Sequence, residues 1–421
     1  MKRNIIVSLL LAALTLSASA QSTEQPKRAI FPKIHTYHTD RGPVLDLSTL
    51  DNSSCSPIPG LDSTVTEYMK CHNLVGASLA VMRNDSLLYV RGYGYADREA
   101  GVKMEPWHRM RVASVSKLVT AIGIMKLVEQ RRLELSDTVF ARGGALEFMV
   151  PPVHDPRIGS ITVEHLLRHQ GGFTCKGGDP MFSVGAVDGD QVCYNNLGEP
   201  LDFTPGTDQD YSNVGYYLLG KLISVITGYS YEEWIRRYVL SPMQCNDFSI
   251  GGNYLEERQD REVRYYMYPG APQEEDFHGG GVMCETCYGG NNVTGIQGAG
   301  AWITCASDLC RLVSGINIDS GIYDILTPDT IKRMTRETGE KDYSIGWLDT
   351  NSVGIWTRTG SFGGTTALIK YYSWDGDCWV LLTNTGTIHH ARIEKFSSKL
   401  IMELRSKYLN SFAHKDLFYE R

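Results

Sequence analysis

Ser114 and Lys117 stand three positions apart in RVASVSKLVTAIGIMKLVEQ, residues 111–130, at the head of a strongly apolar stretch. On a helix that spacing stacks both side chains on one face, so the amine can reach the hydroxyl. A serine is a weak nucleophile until a neighbour accepts its proton, and a desolvated lysine with a lowered pKa can do so. Backbone N–H groups at such a terminus can also hold an oxyanion. A cation in a first turn opposes the helix dipole, so Lys117 needs a reason to be there. Two further stretches offer complementary chemistry. Tyr211-Ser212-Asn213 supplies a phenol for proton relay and an amide to hold a substrate carbonyl or the lysine. Y-x-N recurs at Tyr194 and Tyr408, but only the copy at Tyr211 lies between a Pro-Gly turn and an amphipathic helix. Arg358-Thr359-Gly360-Ser361 supplies a fixed charge suited to a substrate carboxylate, a glycine at which a ligand can approach the backbone, and the Ser361 N–H as an oxyanion donor.

These residues need rigid carriers. Leu118, Ile122, Met125 and Val128 recur at helical steps, widened by Val119, Ala121 and Ile124 into a helix buried nearly all round. Before it, ASLAVMRNDSLLYVRGYGYAD predicts two antiparallel strands around a turn at Arg83–Ser86. Residues 151–292 hold helices such as VEHLLRH and YSNVGYYLLGKLISVIT between Gly/Pro/Asp-rich loops. Strands return in SIGWLDT, VGIWTRTG, TALIKYY and CWVLLTNT, and a long helix from about Ile388 to Leu409 closes the chain. The order predicts an α+β sandwich, an antiparallel sheet flanked by helices. Residues 61–150 and 293–421 form its discontinuous α/β domain, 151–292 a mainly helical insertion, and 21–60 a leader.

Residues 1–20 read as a secretory signal peptide: Lys2 and Arg3, an apolar run, then Ala18-Ser19-Ala20. A secreted or periplasmic protein with no integral membrane segment after cleavage is expected. A net charge of −7 gives no basic surface for nucleic acid. Ten cysteines suit an exported chain. Cys175 and Cys193 bracket a Gly/Asp-rich stretch that a disulfide between them could staple, a local disulfide is expected in Cys284-x-x-Cys287, and Cys305, Cys310 and Cys378 read as buried thiols; spacing alone does not set the connectivity. No metal and no cofactor is implied. His165 and His169 have zinc spacing, but Leu166 stands where an H-E-x-x-H site has glutamate, and no G-x-S-x-G elbow occurs.

Taken in order, Ser114-x-x-Lys117, Tyr211-x-Asn213 and the Arg358-Thr359-Gly360 strand resemble the serine β-lactamase and penicillin-binding protein family, in its branch of class C β-lactamases, D-alanyl-D-alanine carboxypeptidases and esterases. GYGYAD, ITVEHLLRHQGG and GAGAWITCASDLCRLV match as well, so the resemblance runs from about residue 60 to 405. It implies a β-lactamase/transpeptidase-like fold with Ser114 as nucleophile, Lys117 as its activator and Tyr211 as proton relay. It also implies that Asn213, Arg358, Thr359, Gly360 and Ser361 bind substrate, with the N–H groups of Ser114 and Ser361 as oxyanion hole, and that His169 anchors a loop. Arg358 departs from the family's lysine or histidine and favours acidic-ended substrates. Gly171 and the segment SPMQ (241–244) are further departures, and the loops 173–200 and 255–292 are where substrate choice can diverge. The implied activity is that of an exported serine hydrolase on β-lactams, D-alanyl peptides or esters, a small-molecule or peptide substrate with a carboxylate. The alternative is a penicillin-binding sensor or binding domain with little or no turnover.

Overall fold

The computed structural model describes residues 45–318, 324–336, 343–386, 390–413 and 415–419. The signal peptide, most of the leader and the first residues of the expected last helix lie outside them. The helix α1 (Pro59–Cys71) opens on Pro59, a residue that suits a first turn. Strands β1 (Gly76–Arg83) and β2 (Ser86–Asp97) follow. Arg83 pairs with Ser86 across a two-residue turn in which Asn84 and Asp85 have φ of 46° and 62°. Both are residue types that tolerate the left-handed region, and the resulting turn twists with the strands.

The sheet is completed by β3 (Val102–Lys103), β4 (Asp349–Thr350), β5 (Ile355–Phe362), β6 (Thr365–Tyr372) and β7 (Asp377–Thr383). The strand order is β3-β2-β1-β7-β6-β5-β4, antiparallel throughout. Only Asp349 and Thr350 of SIGWLDT are strand. Gly346, at φ +79°, crosses α2 (Ser116–Glu129) so closely that a Cβ there would lie 2.7 Å from that of Ala121, which ends any extended run.

Alternation along the strands divides the core in two. Leu79 and Val81 face Leu61 and Val65 of α1 and Leu400, Ile401 and Leu404 of the last helix. Ala80 and Met82 face the opposite cluster, which contains Leu118, Ile122 and Met125 of α2. The sheet is therefore covered on both sides, as an α/β sandwich requires. In the helical middle lie α3 (Val163–Leu167), α4 (Gly189–Leu197) and α5 (Asn213–Thr227), followed by α6 (Gln297–Gly300), α7 (Ala306–Ser314) and α8 (His390–Tyr408). The helix α4 falls inside a stretch whose Gly/Asp content hid it; Asp188 caps its start by accepting the Asp190 N–H.

All ten cysteines are free thiols, which corrects both disulfide readings. Cys193 is buried on α4 while Cys175 stays half-exposed, and Cys287 turns inward toward the Tyr265 carbonyl while Cys284 does not follow. Cys305, Cys310 and Cys378 are buried as expected. No helix among the described residues is long and apolar enough to cross a membrane.

Candidate active site

Ser114 belongs to a 3-10 turn, Ala113–Val115, that runs directly into α2. Ala113 holds φ at +46°, a left-handed conformation costing an L-residue about 1–2 kcal/mol. The strand β5 packs on this turn. A Cβ on Gly360 would lie 2.3 Å from the Val112 carbonyl oxygen and 2.7 Å from the Ser114 nitrogen. Gly360 therefore admits the chain's own turn rather than a ligand and brings β5 against the Ser114 nitrogen, one residue before half-buried Ser361.

Lys117, one turn on, is completely buried. Its Nζ donates to Asn213 Oδ1 and the Ala299 carbonyl, both at 2.6 Å, and lies 3.2 Å from Ser114 Oγ. The Tyr211 hydroxyl donates to the same Oγ at 2.8 Å. The carrier of Tyr211 and Asn213 is an N-cap: Ser212 accepts the Gly215 N–H and starts α5, fixing its two neighbours at the junction. The four predicted residues Ser114, Lys117, Tyr211 and Asn213 thus meet through side-chain hydrogen bonds.

Arg358 reaches the same place in a different way from that expected. It is 1% exposed, and its Nε and Nη2 donate to the Ser114 carbonyl at 2.8 and 2.5 Å, with Nη2 also 3.3 Å from the Tyr211 hydroxyl. Two of its three nitrogens are committed to the protein, so the carboxylate-clamp expectation is corrected to a backbone clamp. Thr359, one residue along the strand, donates to Glu394 of α8 at 2.7 Å, which directs its hydroxyl away from Ser114.

Burial strips water from Lys117 and lowers its pKa, with the charge of Arg358 working in the same direction against the pull of Tyr211. Burial alone would raise the Tyr211 phenol. The Lys117 and Arg358 charges and its hydrogen bonds outweigh that and hold it below the ordinary tyrosine value. His169 stacks on Tyr211 at 4.4 Å between ring centres, and its Nδ1 accepts the Ser212 N–H at 3.0 Å. Burial, then the charge of Lys117 when protonated and that of Arg358, pushes the pKa of that ring well below the usual histidine value. His165 instead accepts the Thr162 N–H in the capping box of α3, so the two histidines share no ligand.

Three participants escaped the sequence reading: Asp179, which accepts from Asn213 Nδ2 at 2.7 Å, the Ala299 carbonyl, and Glu394. None carries a local signal, since each arrives from a distant segment. Away from the site, Asp247, Cys305 and Asp308 lie close enough together to hold a metal ion. Asp247 already pairs with Arg261 at 2.5 Å and with the Cys305 thiol, and Asp308 accepts the Asp247 N–H at 2.7 Å.

The Beta-lactamase family profile matches residues 61–398, spanning every residue placed around Ser114. The chain belongs to the Beta-lactamase family. It is 28% identical over 360 residues to Protein flp of Staphylococcus aureus (strain MW2), covering 83% of this chain and 66% of that protein. It is also 28% identical over 314 residues to Penicillin-binding protein 4* of Bacillus subtilis (strain 168), covering 71% and 66%. The chain thus spans just under two thirds of the length of these curated relatives. The D-amino acid amidase from Ochrobactrum anthropi SV3, solved with L-phenylalanine amide, superposes with a TM-score of 0.66 at 20% identity, covering 84% of this chain and 98% of that one. This beta-lactamase-family chain shares the mixed α+β fold of that structure, with an antiparallel sheet flanked by helices.

Proposed function

We infer that this beta-lactamase-family protein is a hydrolase that carries its substrate's acyl group on Ser114. The observation that supports this most is the convergence of Lys117 Nζ and the Tyr211 hydroxyl on Ser114 Oγ, at 3.2 and 2.8 Å. The Ser114 proton passes to neutral Lys117 as Oγ bonds to the substrate carbonyl carbon. The N–H groups of Ser114 and Ser361 receive the oxyanion. The C–N or C–O bond then breaks, the leaving atom takes a proton from the Tyr211 hydroxyl, and Lys117 returns one to Tyr211. Water repeats the sequence on the acyl-enzyme and frees the acid. The substrates are amides or esters, with β-lactams and D-alanyl peptides the first to try. The signal-peptide pattern of residues 1–20 supports action outside the cytoplasm.

Intact-mass spectrometry after mixing with a penicillin, with Ser114→Ala alongside, tests the reading. Among the described residues Ser114 Oγ hydrogen-bonds with Lys117 and Tyr211 alone, so the variant is expected to fold and to take no label. A transient adduct with drug consumption on the wild type means lactam hydrolysis, and a lasting one points to a peptidase or to a penicillin-binding sensor. Equal labelling of both proteins, or no Ser114 adduct with any penicillin, ester or amide, would overturn it.

A further inference from the structure

Two partly exposed residues, Tyr343 and Asp210, border Tyr211. The Tyr343 ring lies 5.8 Å from that of Tyr211 between centres, at 61° between planes, and meets His169 at 4.8 Å and 70°. Its segment comes from far along the chain and is fixed in place. The Tyr343 N–H donates to Gln209 Oε1 at 2.9 Å, and its carbonyl accepts from Arg168 Nη1 at 3.2 Å. Asp210 precedes Tyr211, and its own N–H donates to the His169 carbonyl at 3.0 Å. With both backbones held, Tyr343 is nevertheless only half-buried and Asp210 is exposed.

The charges on this border do not balance. Asp210 forms no salt bridge among the described residues, and the two cations that touch the border are already bound. Arg168 pairs with Glu164 at 3.1 Å, and Arg358 donates to the Ser114 carbonyl. Arg358 keeps its charge, but at 1% exposure it is out of a ligand's reach. Burial first, then the charge of Tyr211 and that of Asp210, raise the Tyr343 phenol above its ordinary value against the pull of Arg358. Asp210 therefore acts on the Tyr343 ring, and that ring stays neutral.

The leaving atom takes its proton from the Tyr211 hydroxyl, so the group it carries must pass Tyr211. Toward the protein that hydroxyl is enclosed by Ser114 Oγ at 2.8 Å and Arg358 Nη2 at 3.3 Å, and His169 covers the ring at 4.4 Å. A group that leaves toward solvent meets Tyr343 and Asp210. An aromatic ring attracts a cation held within about 6 Å of its centre. A carboxylate attracts the same cation and repels an anion.

We propose that Tyr343 and Asp210 form a leaving-group subsite for a cation, so the preferred substrates are esters, thioesters or amides whose leaving group carries a positive charge. The inference rests on the Ser114 acyl-enzyme reading. For the leaving part it reverses the acidic-ended preference expected from Arg358.

The probes are acetylthiocholine, its uncharged isostere S-(3,3-dimethylbutyl) thioacetate and the anionic 3-(acetylthio)propanoate, compared by kcat/KM from thiol release. Setting each variant against the wild type cancels the substrates' own reactivities. Asp210→Asn should lower the cation-to-neutral ratio about threefold, the size of a solvent-exposed ion pair, and raise the anion-to-neutral ratio by a similar factor. At about 1 M salt the effect of Asp210→Asn should disappear. Tyr343→Leu should lower the cation-to-neutral ratio about threefold, whereas Tyr343→Phe keeps the ring and the ratio. Glu67→Gln, on α1 across the sheet from Ser114, changes the net charge equally and should leave every ratio alone. Ratios unchanged in Asp210→Asn, an equal shift in Glu67→Gln, or Tyr343→Phe behaving as Tyr343→Leu would overturn the subsite. Penicillin labelling of the same samples, read by intact mass, separates the two levels. A Ser114 adduct with flat thioester ratios, or with no thioester cleaved, sinks the subsite alone. No Ser114 adduct from penicillin or thioester sinks the Ser114 reading and this inference with it.

Discussion

Lys117 is held against its nucleophile by three hydrogen-bond contacts. Asn213 Oδ1 and the Ala299 carbonyl accept only, and they take two N–H bonds. Asp179 also accepts only, so it fixes which end of the Asn213 amide faces the lysine. As an ammonium, Lys117 donates to Asn213 Oδ1, the Ala299 carbonyl and Ser114 Oγ; once deprotonated it has two hydrogens for the first two and a lone pair for Ser114 Oγ. Because the base works deprotonated, acylation should quicken with pH through the Lys117 pKa, which burial sets below the usual 10.5. Lys117→Arg, which cannot lose its proton, should slow acylation about 10²–10⁴-fold, read by stopped-flow or quenched-flow mass analysis. An acylation rate independent of pH between 6 and 10 would remove Lys117 from the base role.

Ser114 also depends on how β5 and the turn before α2 hold each other. Ala113 keeps its unfavourable φ because β5 lies against the turn, and that approach exists only while position 360 has no Cβ. Gly360→Ala would set a methyl against three backbone atoms of Val112, Ser114 and Val115 within 2.9 Å. It should cost about 1–3 kcal/mol and lower acylation, because the turn must shift. At Gly159 an added methyl meets nothing within 4 Å, so Gly159→Ala is the control. Denaturant midpoints and acylation rates of the two variants check this; equal behaviour would mean the contact holds nothing in place.

Over the whole molecule, the sheet separates two helix layers, and the layer carrying Ser114 also buries ionisable groups remote from it. Asp308 on α7 is 1% exposed, and burial followed by the charge of Asp247 raises its pKa to about 7. Its unfolded value is about 3.9, so between those two pH values the folded protein binds the extra proton. Stability therefore falls as pH rises from about 4 to about 7, and Asp308→Asn should flatten that fall while its amide oxygen still accepts the Asp247 N–H. Urea midpoints across that range give the answer. A wild-type curve without the fall would place the Asp308 pKa near its unfolded value.

Patterns that are local in the chain could be read before any folding was considered. The Asn84-Asp85 turn, the apolar periodicity of α2, the Ser114-to-Lys117 step and the turn-to-helix junction that carries Tyr211 and Asn213 are each set within a few residues by sterics and hydrogen bonding. SIGWLDT misled because the close pass of Gly346 over α2 is a tertiary event, and the disulfides misled because sequence spacing does not say which way a thiol points. Arg358 illustrates the division best. The sequence alone determined that a permanent cation stands on the strand that carries the third motif. Only the tertiary structure decided that it faces the Ser114 carbonyl, and that Asp179, Ala299 and Glu394 complete the surroundings, because a side chain's partner depends on packing between segments far apart in the chain.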